Sequence, residues 1–265
     1  MVFSSLTFLF IFLPIILIVY YLSPKKLRNV ILFISSLIFY AWGEPVYILI
    51  MLFSTVFDYI NGLLIKKYKE TSQLKKSRIV LISSIIVNLG ILCFFKYSNF
   101  FLENIKNVFN IDIQLLNIVL PIGISFYTFQ TMSYTIDVYL GKVEAQKNII
   151  DFGTYVTFFP QLVAGPIIKY RDISTQLKKR KETIDDFSYG INRLCKGLFK
   201  KVILANNIGI LWNQIIGQPI NEIPILTAWF GAICFSFQIY FDFSGYSDMA
   251  IGLRKNVWIS LSRKL

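Results

Sequence analysis

The segment QIYFDFSGYSDMAIG, residues 238–252, places acids and hydroxyls inside a run of apolar residues. On a helix, Asp242 and Tyr246 are spaced i and i+4, and so are Ser244 and Asp248, which gives two adjacent polar ridges if Gly245 does not break the helix. Such residues at membrane depth either line a hydrated or substrate-holding path or lock helices together by hydrogen bonds. The residues alone leave both interpretations open.

Two further segments concentrate polar or helix-breaking residues in apolar surroundings. LPIGISFYTFQTMSYTIDVYL, residues 120–140, carries Gln130, and its polarity is typical of a helix buried against protein or water. FFPQLVAGPI, residues 158–167, has two prolines and a glycine, which predicts a broken or re-entrant segment. Irregular backbone at that depth survives only in protein or beside a cavity, so Gln161, Gly165 and Pro166 are candidate cavity residues.

The elements that must position these residues are membrane helices. Hydrophobic residues make up 55% of the 265, charged residues only 16%, and the mean hydropathy is +0.59, which predicts an all-α integral membrane protein. Five runs approach the roughly 20 residues of a crossing helix, and two more are marginal, so we expect five to eight membrane segments. The five runs are residues 3–22, 46–65, 79–95, 117–140 and 225–253, and the marginal ones are 30–43 and 152–168. We predict one membrane domain over residues 1–265.

The net charge of +12 is concentrated in basic clusters that flank the apolar runs. By the positive-inside rule these clusters face the cytoplasm, which places the amino terminus outside and predicts an outward hairpin turning at residues 43–45. Topology and anionic lipid explain the charge, so nucleic acid is not an expected partner. The cysteines Cys93, Cys195 and Cys234 lie far apart and do not form a metal-binding set.

Residues 187–207 have the pattern of a basic amphipathic helix at the membrane surface. Its basic face either contacts anionic headgroups or, with the preceding polar loop, binds an anionic substrate or carrier from the cytoplasm. The residues of this predicted face are Lys169, Arg171, Arg193, Lys196, Lys200 and Lys201. Asp58 and Asn61 share one helix face, and for them we expect a structural hydrogen bond between helices.

These segments, together with GLFKKVILANN and the amino-terminal FLPIILIVYYL, closely resemble the membrane-bound O-acyltransferase superfamily, nearest to its bacterial alginate O-acetyltransferase branch. The resemblance runs in order from residue 1 to about residue 253 and implies tilted helices in a ring around a tunnel. It also implies a cytoplasmic acyl thioester donor, acetyl-CoA or an acyl carrier, as co-substrate with no bound cofactor. The implied partners are a polysaccharide acceptor and an acetyltransferase outside the membrane. The implied location is the cytoplasmic membrane.

Members of this family use a catalytic histidine, whereas this sequence contains none. Residues 254–265 depart from the pattern except for WISLS, which is similar to a histidine-containing WHISLS stretch of the family. We therefore assign no catalytic residue and expect a truncated chain that is inactive alone. A desolvated Asp242 or Asp248 could replace the base, but the spacing does not favour it over a structural role. The alternatives are a non-catalytic membrane scaffold and, on the broken helices and intramembrane acids, a small transporter.

Overall fold

The protein is all-α wherever the structure describes it. The computed structural model describes residues 2–112, 114–116, 118–162, 169–178, 180, 183–219 and 222–257, and these ranges contain helices and no strand. The helices are α1 Leu13–Leu22, α2 Arg28–Gly43, α3 Ile48–Glu70, α4 Leu74–Phe109, α5 Ile124–Tyr139, α6 Ile149–Thr157, α7 Phe159–Leu162, α8 Tyr170–Lys178, α9 Ile184–Phe199, α10 Asn206–Ile216 and α11 Ile225–Asn256. A π-helical turn, Phe8–Phe12, leads into α1, and a second, Lys200–Ala205, joins α9 to α10.

Three of these helices are long and apolar enough to cross a membrane. They are α3 with 23 residues, α4 with 36 and α11 with 32, and they confirm three of the predicted runs as helical spans. The predicted turn lies where α2 ends at Gly43 and α3 begins at Ile48, and its outward orientation remains a prediction. Apolar side chains such as Leu6, Leu22 and Leu226 remain exposed, as expected of a surface that contacts lipid. The chain is thus an integral membrane protein.

The predicted run at residues 117–140 forms a shorter helix than its apolar length allows. Helix α5 begins only at Ile124, after Pro121 and after Gly123, which adopts a left-handed conformation with φ of +75°. A Cβ atom at Gly123 would lie 2.5 Å from the main-chain oxygen of Leu162. Both the φ value and the close approach to Leu162 require glycine at position 123. Helix α5 therefore begins directly after this residue.

The predicted break in the segment after residue 152 is confirmed. Helix α6 ends at Thr157, Phe158 adopts ψ of 108°, and the short α7 follows. Pro160 has no N–H to donate to the carbonyl four residues earlier, so a regular helix cannot continue through it. Of the predicted cavity residues in this segment, Gln161 lies in α7, and Gly165 and Pro166 lie outside the described residues.

The described residues group into two compact units. The first unit contains residues 25–162 and 169–177 and is built on α3, α4 and α5, with α2 packed on α6 and α7. The second unit contains the described residues of 2–24 and 178–257. Its core is the contact of α11 with α9, with the π-helical turn Lys200–Ala205 and with α10. The single membrane domain and the tunnel remain predictions.

Candidate functional site

The polar ridges predicted on the last span lie on one uninterrupted helix. Helix α11 runs through Gly245 without a break, so the i, i+4 spacing of the acids and hydroxyls is kept. Basic side chains from α9 or from the second π-helical turn, Lys200–Ala205, contact Asp242, Ser244 and Asp248. This second turn is called the π-helical turn below. Members of the two sets that the sequence analysis predicted for a tunnel and for a basic surface therefore meet in this unit.

Asp248 is the central acid of this contact. Its Oδ1 accepts from Arg193 at 3.0 Å from Nε and lies 2.9 Å from Nη2, and its Oδ2 accepts from Lys200 Nζ at 2.6 Å. The Asp248 side chain is 16% exposed, against 23% for Arg193 and 31% for Lys200. Charge-assisted hydrogen bonds of this length in a partly desolvated place are strong, so Asp248 fastens α9 and the π-helical turn to α11.

The π-helical turn explains why two consecutive lysines both reach α11. Lys200 Nζ donates to Ser244 Oγ at 3.0 Å as well as to Asp248, and Lys201 Nζ lies 2.7 Å from Asp242 Oδ1. Consecutive residues of an α-helix point about 100° apart, but a π-helical turn closes i to i+5 bonds and has more residues per turn. The smaller angle between neighbours lets both side chains face the same partner helix.

Two pairs of glycines allow the close approach of these helices. Gly190 faces Gly252, and Gly197 faces Gly245, so the helices run antiparallel. A Cβ atom at Gly197 would lie 2.5 Å from the Gly245 oxygen, and one at Gly252 would lie 2.5 Å from the Gly190 oxygen. Small residues in such a row are the usual means by which membrane helices bring their backbones together. This contact sets the distance across which the ion pairs form.

The contact of α11 with α9 and Lys200–Ala205, called the seam below, carries one more ion pair at its end. Its acid, Asp186, lies in the first turn of α9 outside the three apolar spans, and its base, Lys255, lies in the last turn of α11. Lys255 Nζ donates to Asp186 Oδ1 at 2.6 Å, and this hydrogen bond lowers the pKa of Asp186 below its ordinary value. Tyr189 lies between the Arg193 guanidinium and the Lys255 ammonium, each 6.0 Å from its ring centroid. A carboxyl with a lowered pKa adds stability above its unfolded-state pKa of about 3.9 and loses it as the pH falls through the folded value.

The pH dependence of the Asp186 contact is a testable consequence. Between about pH 5 and pH 8 the contact should not change, because Asp186 stays ionised, and acidification below about pH 4 should weaken it. In Asp186→Asn the acid-dependent part of this weakening should disappear. Hydrogen exchange of the α9 amides at a series of pH values would measure it. An Asp186→Asn protein with the parent's acid response would assign that response to another group.

The remaining predicted site residues make other contacts. Tyr246 stacks on Phe3 with ring centroids 4.7 Å apart, and Lys196 is exposed on α9. In the first unit Gln130 donates to the Tyr155 oxygen at 2.6 Å, and the buried Gln161 has an Oε1 without a hydrogen bond. Also in that unit, Lys169 is exposed, and Arg171 Nε lies 3.4 Å from Oδ1 of the neighbouring Asp172.

The sequence analysis missed the glycine pairing. Gly190 and Gly197 are seven residues apart, as are Gly245 and Gly252, and this matched spacing was a readable signal for two helices in close contact. Each segment carries only one half of this pairing. The same holds for the pairing of the basic helix with the acids of α11.

The paired state of Asp248 limits what it can do in a reaction. Both of its oxygens accept from cations, so few lone pairs remain to take a proton from an alcohol. Asp242 is more open, with its side chain 45% exposed and a single cation beside it. The seam is therefore suited to hold helices at a fixed distance and to present a net positive surface, more than to act as a general base.

Helical spans, a broken buried segment and a charged contact on one of the spans define a polytopic α-helical membrane protein with polar interhelical contacts. Residues 144–260 match the model of the MBOAT, membrane-bound O-acyltransferase family. The chain belongs to this family.

Several curated relatives are similar to nearly the whole chain. The probable alginate O-acetylases AlgI of Pseudomonas syringae pv. tomato and Pseudomonas aeruginosa are 43% and 42% identical over 257 residues, which is 96% of this chain and 49% of each relative. The peptidoglycan O-acetyltransferase of Helicobacter pylori is 30% identical over 285 aligned positions, 96% of this chain and 53% of that protein. The chain spans about half the length of the curated relatives it matches.

Proposed function

We propose that this chain is part of a membrane O-acyltransferase of the cytoplasmic membrane, with its amino terminus outside. In this proposal an acetyl group passes from a cytoplasmic thioester donor, acetyl-CoA or an acyl carrier, toward an extracytoplasmic polysaccharide. The observation that carries the proposal is 43% identity to a probable alginate O-acetylase across 96% of the chain. The polar α11 seam supports it, because acids and hydroxyls are costly at membrane depth and commonly mark a substrate path.

The roles of individual residues follow from their surroundings. Asp242, Ser244, Tyr246 and Asp248 would line or support the acyl path on α11. Gln130 and Gln161 belong to the other unit and are candidate substrate residues there. Lys196, exposed and without an acid partner among the described residues, is the cation of α9 that remains available to an anionic donor or headgroup. Arg193, Lys200 and Lys201 would mainly keep the seam closed, because each already contacts an acid of α11.

Domain exchange tests the proposal directly. The matched 257 residues of the P. aeruginosa protein would be replaced by those of this chain, and the chimera expressed in cells that lack the parental protein. We expect acetyl groups on the secreted alginate, because the exchanged part would supply the same helices and path. Acetyl content of the polymer, measured by nuclear magnetic resonance, is the readout. A chimera present in the membrane at the parental level without acetylation would contradict the proposal.

A variant of the same chimera tests the site. Asp242→Ala should remove acetylation without loss of protein, because Asp242 is exposed enough that its pair with Lys201 adds little stability. The matched control is Asp112→Ala, which removes an acid that is 94% exposed and paired with Lys106 on the surface. We expect the control to keep full acetylation. Equal activity in both variants would remove Asp242 from the site.

A non-catalytic scaffold is the second candidate. The observation that favours it is the ion-paired state of the α11 acids in a sequence without histidine. It predicts that the 265-residue chain accumulates stably by itself and co-purifies with one membrane partner. When the 265-residue chain is purified and supplied with acetyl-CoA and oligomannuronate, it should then transfer no acetyl groups. The chimera described above should also be inactive.

A further inference from the structure

A buried arginine lies in the last turn of α11, in the second unit. Arg254 is 2% exposed, and its Nε and Nη2 atoms make no hydrogen bond. Among the described residues no acid forms an ion pair with it. A guanidinium stays charged in proteins, and a buried charge without a counter-charge is costly. The end of α11 therefore lacks one anion.

The usual partners of such an arginine do not supply this charge. Each acid of the seam already pairs with another cation: Asp186 with Lys255, Asp242 with Lys201, and Asp248 with Arg193 and Lys200. The last main-chain oxygens of a helix are the other common acceptors, but Nε and Nη2 of Arg254 donate to none of them. Packing does not require the charge either, because an apolar side chain of similar volume would fill the same space.

A second guanidinium lies at the same end of α11. Arg180 Nη1 donates to Tyr20 Oη at 3.1 Å, and Tyr20 Oη donates to the Val257 oxygen at 3.1 Å. Val257 follows Arg254 by three residues, and Ala250 precedes it by four, so the three share one side of the helix. Tyr20, Ala250 and Val257 are at most 1% exposed. This end of α11 thus combines two guanidinium groups with surroundings that exclude water, in which an anion is attracted more strongly than in solvent.

We infer that Arg254 binds one phosphate-type oxyanion at this end of α11. Nε and Nη2 form the edge of a guanidinium that holds two oxygens of one anion, and Arg193 uses the same edge for Asp248. The anion is the phosphate of a lipid headgroup or a free phosphate. Both are available at the cytoplasmic surface, which the basic clusters predict for this end of the helix. The bound anion neutralises the guanidinium and stabilises the contact of α11 with α1, the helix that contains Tyr20.

Thermal unfolding of the 265-residue chain in dodecyl maltoside micelles tests the site. In the phosphate arm, inorganic phosphate replaces chloride at constant pH and ionic strength. In the lipid arm, phosphatidylglycerol replaces glucosyl diacylglycerol, which contains no phosphate. At least one change should raise the melting temperature by about 2–4 °C once the ligand exceeds its dissociation constant roughly fivefold, because it stabilises the folded state. A rise in the phosphate arm alone assigns the site to free phosphate, and a rise in the lipid arm alone assigns it to a headgroup.

Three variants separate the site from general effects of anions. Arg254→Met fills the same space without the charge, so it should abolish the response and, without phosphate, should melt at or above the temperature of the parent. Arg254→Lys keeps the charge but loses the fork of N–H groups, so it should need more phosphate or lipid for half of the effect, even if Arg254→Met does not fold. Lys142→Met removes an exposed cation of the first unit and should keep the whole response.

The outcomes that would overturn the site are equally direct. They are a melting temperature that ignores both phosphate and phosphatidylglycerol, a response of equal size in Arg254→Met, and a half-effect concentration in Arg254→Lys equal to that of the parent. Acetylation by the chimera is a separate measurement, so the anion site and the proposed function can fail independently.

Discussion

Replacing Gly197 by alanine should destabilise the protein by about 1–3 kcal/mol. The added methyl group would lie 2.5 Å from the Gly245 oxygen and 2.6 Å from the Met249 nitrogen, which are main-chain atoms that cannot rotate away. Helices α9 and α11 would have to separate, and the ion pairs across their seam would lengthen. Unfolding of the purified chain in nanodiscs, followed by circular dichroism, would measure the loss.

Gly90 provides a matched control for this substitution. It also lies inside a long helix, α4, but a Cβ atom there would meet no atom within 4 Å. Gly90→Ala should be neutral or stabilise by about 0.5–1 kcal/mol, because alanine loses less conformational entropy in a helix. Equal effects of the two substitutions would show that helix propensity, and not the contact with Gly245, governs this position.

Replacing Asp248 by asparagine should cost about 2–3 kcal/mol. The substitution keeps the shape of the side chain but leaves Arg193 and Lys200 without the carboxylate that they share. We expect less than the roughly 3–5 kcal/mol of a fully buried pair, because both cations keep some access to water. The same unfolding measurement applies, with hydrogen exchange of α9 as a local readout.

Asp242→Asn is the control for this second prediction. Among the described residues the ion-pair partner of Asp242 is Lys201, and the Asp242 side chain is 45% exposed, so its loss should cost below about 1 kcal/mol. A similar loss of stability in both variants would contradict the central role of Asp248. The contrast also separates stability from activity, because Asp242→Ala is expected to remove acetylation from the chimera while the protein remains folded.

Much of the fold could be predicted from local pattern. The lengths of the apolar runs predicted α3, α4 and α11, and Pro160 predicted the break between α6 and α7. Spacing alone also predicted that Asp242 and Asp248 lie on polar ridges of one helix. These features depend on residues within a few turns of each other, so a single segment contains the information.

The sequence by itself thus determined the class of protein, three of the spans, and which polar residues of α11 share a helix face. Only the tertiary structure decided which face meets which. Arg193 and Asp248 are 55 residues apart, and nothing in the spacing of either segment states that the basic face of α9 turns to the acids of α11. That choice depends on the glycine pairs and the π-helical turn, which bring two backbones close enough for the ion pairs. Asp58 on α3 is similar, because the Ser84 and Asn88 side chains that donate to it come from α4, and each helix sequence shows only its own share.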